Sequence, residues 1–157
     1  MAAEYGVIIP QTVAPNGSMM FTESPVPCNR GYIFHRDGSG LFRLASPSVT
    51  GCNYRIGCGR MPSADYTVGF HARVQIPEGG TIDTITFAVF VDGEEDPASL
   101  TSITPAAVEE PGTIGTDIVV EVPWICRCSS VSVRNISTEA VDVLNGVIVF
   151  DFAGIRR

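Results

Sequence analysis

The residues of this chain with the widest chemical reach are its five cysteines. Four of them fall in two pairs, Cys52-x5-Cys58 and Cys126-x-Cys128. If the fold brought the pairs together, their thiolates could hold a tetrahedral zinc ion or close disulfides. The spacing is not the C-x2-C of zinc ribbons, and an odd total cannot pair fully within one chain. Reduced thiols are therefore expected, with a thiolate cluster or disulfide at Cys52, Cys58, Cys126 and Cys128 as the alternatives. Cys28, beside a proline turn, reads as a small buried hydrophobe.

Other groups that could do chemistry are scattered. His35 ends an apolar run beside Arg36-Asp37, and His71 alternates with Arg73 on a polar face; neither has a cysteine or carboxylate at a catalytic spacing, so both are expected to be structural or interfacial. Gly38-Ser39-Gly40 fails as a nucleophile elbow because Asp37 stands where the first glycine is needed and no helix follows. Asp92, Glu94, Glu95 and Asp96 offer hard oxygen ligands without the EF-hand spacing, and read as a solvated acidic turn. A cupin-like metal oxygenase would need more histidines, and a glycan hydrolase a pair of facing carboxylates. The expectation is no enzyme, no metal and no cofactor. Trp124, Phe150 and Phe152 are the candidates for a subunit contact: Trp124 follows Pro123 at a strand end, and the two phenylalanines share one strand face. Packing within the fold is the alternative for all three.

The positioning framework must be one domain, since 157 residues suffice for a single core. A charged share of 17% is low and suggests covered surface. Net charge of -7 argues against nucleic acid and anionic membranes. All 10 basic residues are arginine, the cation better suited to partly buried pairing. No stretch reaches the ~18 apolar residues of a membrane span, and no basic region followed by an apolar run trails Met1. A cytosolic origin is expected, in which the sequons at Asn16-Gly17-Ser18 and Asn135-Ile136-Ser137 carry no sugar.

Strand signals dominate, at 7–9, 18–22, 31–35, 41–45, 66–76, 84–91, 100–104, 117–122, 130–136 and 140–152, or about ten short strands. From Tyr66 to Ile76 apolar and polar residues alternate strictly, so one face is core. The run Thr84 to Val91 ends at Asp92-Gly93, a hairpin signal. Val147 to Phe150 is apolar throughout, as in a strand covered on both faces, at the centre of a sheet or at a subunit contact. Helix is confined to a single turn at 105–110, and the longest loop is 46–65. Pattern alone thus predicts an all-β, antiparallel sandwich or barrel.

The sequence words and their order select among these. F-T-E-S-P-V-P-C-N-R-G-Y-I-F-H-R-D-G-S-G-L-F-R-L from Phe21, T-V-A-P-N-G from Thr12, V-Q-I-P-E-G-G-T from Val74, T-P-A-A-V-E-E from Thr104 and V-R-N-I-S from Val133 together resemble a family of small jelly-roll proteins. These are encoded among the virion genes of tailed phages and prophages of gut bacteria, and are related in architecture to the trimeric tumour-necrosis-factor and C1q heads. The resemblance implies a jelly-roll domain over 18–157, with 1–17 as an N-terminal arm or first strand that docks to the particle. It also implies a homotrimer whose last strand lies near the threefold axis. The implied function is a non-enzymatic virion structural protein, a capsid decoration or head-fibre protein assembled in the host cytoplasm and contacting the major capsid protein or other virion proteins. The alternative is a receptor-binding or fibre-tip domain for a host glycan or protein.

Overall fold

The computed structural model describes residues 2–28, 32–45, 63–123 and 128–156. They form β1 (Ala2–Val7), β2 (Gln11–Val13), β3 (Glu23–Val26), β4 (Ile33–His35), β5 (Phe42–Ala45), β6 (Ser63–Gln75), β7 (Ile85–Val91), β8 (Glu94–Glu95), β9 (Thr101–Ile103), β10 (Gly112–Pro123), β11 (Cys128–Asn135) and β12 (Val141–Arg156). Pairing is antiparallel throughout, in two sheets. The first runs β10-β6-β12-β1-β3, with β2 also on β12; the second runs β4-β5-β11-β7-β8, with β9 also on β7. The period-two pattern decides how they face. In β6, Ala64, Tyr66, Val68, Phe70, Ala72 and Val74 are buried, while Thr67, His71 and Arg73 point out. Ile85, Phe87 and Val89 of β7 and Val131 and Val133 of β11 close the core from the opposite sheet.

Phe42, fully buried, is the hub between the sheets. Its ring lies 4.8 Å from that of Phe150, 4.9 Å from Tyr5, 5.2 Å from Phe21 and 4.4 Å, stacked, from His35. Tilted and edge-on aromatic contacts of this kind add to the stabilisation that comes from area burial.

Several boundaries differ from the sequence reading. The first strand lies at Ala2–Val7 rather than 7–9, because Ala3, Tyr5 and Val7 are the residues that alternate inward; Ile8 and Ile9 are exposed. The first seventeen residues are therefore woven into a sheet through β1 and β2. The apolar run 18–22 makes only isolated bridges. It crosses between layers, Met19 N donating to Val133 O in one sheet and Thr22 N to Gly6 O in the other. The strand forms afterwards as β3, at an edge that tolerates Pro25. The single helical turn among the described residues is Pro97–Ser99, capped by Asp96, whose Oδ1 accepts from Ala98 N at 2.9 Å. The segment 105–110 is not helical.

Local chemistry accounts for the connections. Asp92 and Gly93, at φ 52° and 83°, turn β7 into β8 as the Asp-Gly signal predicts. The sequon at Asn135 proves structural. Its buried Nδ2 donates to Val13 O and Glu139 O, both at 3.0 Å, and its Oδ1 accepts from Ser137 N at 2.9 Å, tying β2 and the β11–β12 turn together.

Phe150 and Phe34 test this arrangement. Phe150→Ala is expected to lower stability by about 3–5 kcal/mol in urea unfolding, whereas Phe34→Ala, on an outward face, should stay within about 1 kcal/mol of the parent. Equal losses for the two would contradict the assignment of inward and outward faces.

Candidate subunit interface

The surface best suited to meet another chain is the outward face of the first sheet, built on β6 and β12. Strand pairing sets its rows: Gly6, Val147, His71 and Gly115 lie side by side on β1, β12, β6 and β10, and Glu4, Val149, Gly69 and Asp117 form the next row. Two glycines make the side chains lie flat. A Cβ on Gly115 would sit 2.2 Å from His71 Nδ1, and one on Gly69 would sit 2.7 Å from Asp117 Oδ1. Each glycine thus gives its neighbour a place across the strand. His71 Nε2 and Asp117 Oδ1 are 3.9 Å apart, both exposed. Val147 and Val149 form a half-buried apolar centre, and Val119 at the β10 edge is 57% exposed.

Two of the expected contact residues, Phe150 and Phe152, face the core instead. Phe150 is fully buried between the sheets against Phe42 and Tyr5, so it cannot line a surface of the protomer. Phe152 also turns inward, edge-on to Tyr66 at 5.6 Å. On a central strand of period two, the partners facing out are Val147 and Val149. The continuous apolar run already carried that signal, because a strand apolar on both faces has a second face to cover. Trp124, Cys52, Cys58 and Cys126 lie outside the described residues. Cys128 opens β11 with an exposed thiol. Among the described residues no three His, Cys, Asp or Glu side chains converge as a metal site.

Beneath this face, Tyr66 donates its phenol proton to Ala45 O at 2.6 Å, linking β6 to β5 of the other sheet. Burial pushes its pKa above the ordinary 10.0, with smaller contributions in the same direction from Cys28, Tyr32 and Cys128. Tyr5 is raised for the same leading reason.

The sandwich described here is an antiparallel jelly roll. No family model and no curated protein sequence matches the chain. Solved structures do. The Eiger tumour necrosis factor (TNF) of S. frugiperda superposes with a TM-score of 0.65 at 10% identity, over 98% of this chain and 93% of its own. Murine APRIL superposes at 0.62 and 8% identity, over 97% and 100%. The PRD1 vertex protein P5 does so at 0.50 and 11%, over 96% of each chain. At such identities the likeness is one of fold, and the chain has the TNF-like jelly roll.

The buried tyrosine gives a pH test. Its folded-state pKa lies above the unfolded one, so the folded chain keeps a proton that the unfolded chain releases. The stability this represents is complete below about pH 10 and falls as pH rises beyond it. Urea midpoints followed from about pH 8 to about pH 11.5 should drop at the alkaline end, and Tyr66→Phe should flatten the drop. An unchanged slope in the variant would remove Tyr66 from the account.

Proposed function

We propose that the chain is a non-enzymatic structural protein of a phage virion, assembled as a homotrimer that decorates the capsid or forms a head fibre. The observation that carries this reading is the outward face of the first sheet, where the apolar Val147 and Val149 sit among flattened His71 and Asp117 side chains on the strand that occupies the sheet's centre. A sheet with one face on its own core needs no second apolar face unless something covers it. The fold shared with the PRD1 vertex protein P5 supports a place on a virion. An obligate trimer closed through this face would bury more than about 2,000 Å2 of surface.

Docking to the major capsid protein or another virion component falls to the turn between β1 and β2. The strands themselves are held in the sheet, but Ile8 and Ile9 are 68% and 66% exposed and Met20 beside them 48%. The turn is stiffened by Gln11, whose Nε2 donates to Met20 O at 2.7 Å while its Oε1 accepts from Met20 N at 2.9 Å. Assembly in the host cytoplasm follows from the virion reading.

Light scattering on the purified chain should give three times the 16.7 kDa chain mass in both low and high salt. Val149→Asp should give folded monomers, since burying an unpaired carboxylate at the contact costs several kcal/mol. A monomeric parent chain, or a Val149→Asp trimer, would sink the proposed interface.

A further inference from the structure

The opposite sheet carries a feature that neither the fold nor the trimer requires. Beside the β4–β5 hairpin lies an open hollow of about 720 Å3, with Phe34, His35, Arg36, Leu41 and Arg43 in its wall. Phe34 and Arg43 are directly paired across the hairpin and both face outward. Among the described residues Phe34 is the one exposed aromatic side chain, at 53%. Arg36 and Arg43 are exposed, and no described carboxylate pairs with either. In a chain with 17 acidic residues against 10 arginines, two neighbouring guanidinium groups without a carboxylate are an unspent binding capacity.

The frame is rigid. His35 stacks on Phe42 at 4.4 Å and sits 3.0 Å from Ser39 O through Nε2. Leu41 N donates to Ser39 Oγ at 3.0 Å, and Phe21 brackets the hairpin tip, its N donating to Ser39 O and its O accepting from Gly38 N, both at 3.1 Å. With Nε2 donating, His35 Nδ1 is an acceptor. Among the described residues it has no hydrogen-bond partner, Asp37 Oδ1 being 4.0 Å away, and the side chain is 1% exposed.

We infer that this hollow binds an acidic saccharide, a sugar ring carrying a carboxylate. The arginine forks match a carboxylate. Phe34, with Leu41 beside it, offers a flat apolar platform for the C–H face of a pyranose, and an open hollow that sets this platform beside polar side chains fits an oligosaccharide better than a buried side chain. Peptide capture by strand addition would have only the three residues of β4 as an edge. All the residues belong to one protomer and lie on the sheet facing away from the proposed trimer contact, so the site stands independently of the virion assignment.

The test is an NMR titration of the full-length protein with tri-galacturonic acid, its methyl ester, and a hexapeptide with a free C-terminal carboxylate. The free acid should shift the Phe34 ring and the Arg36 and Arg43 side-chain signals saturably, and the ester should bind about tenfold or more weakly. Phe34→Ala and Arg43→Gln should each weaken binding by a similar factor without changing the fold by circular dichroism, and Arg43→Lys should recover only part of it. Absence of saturable shifts with the acid would overturn the inference. So would equal binding of acid and ester, or binding unchanged in both variants. Tighter binding of the peptide would replace a saccharide with a protein partner and overturn it as well.

Discussion

Everything in this sandwich depends on the burial of Phe42 between the sheets. One ring touches side chains from β1, β4, β12 and the crossing segment at Phe21, so the first, last and middle parts of the sequence meet around it. Those contacts are distant along the chain and bring no regular structure of their own. They hold because each contributing strand alternates, sending Tyr5, Phe150 and His35 inward while their neighbours go to solvent or to a contact surface. The parity of each strand therefore fixes which residues remain outside for function.

That parity produces two unlike exteriors. On the first sheet two glycines leave room for His71 and Asp117 to lie flat beside a valine pair, which suits close approach of another rigid surface. On the second sheet the hairpin of β4 and β5 presents an aromatic ring and guanidinium groups around a hollow, which suits a small ligand with a charge. The jelly roll serves many purposes, and what distinguishes this one lies in the side chains its two faces display.

Much of this was legible in the sequence. The strict alternation from Tyr66 to Ile76 gave β6 and its facing, Asp92-Gly93 gave a hairpin, and the apolar run at Val147 gave a strand with two faces to cover. What pattern could not supply was parity across a bulge: the β12 register shifts between Val143 and Asn145, so whether Phe150 or Val149 points inward depends on a local irregularity with no sequence signature. The displacement of the first strand has a similar origin. Ile8 and Ile9 look more like a strand than Ala2-Ala3-Glu4, yet tertiary pairing with β12 overrides that preference. The hollow beside β4 was invisible because it requires Phe34 and Arg43 to pair across a hairpin, a relation that only the register provides.

The pairing of β1 with β12 also decides how the molecule would carry load. Ala2 lies opposite Asp151 and Val7 opposite Gly146, so the chain's beginning and its last strand's far end sit together. Tension applied between the two termini would peel this ladder open one pair at a time, each hydrogen bond failing alone. Tension applied between the Ile8–Ile9 turn and the C-terminus would instead pull along the strands, so that the bonds of the ladder resist in parallel. A tether at that turn is the stronger mechanical arrangement.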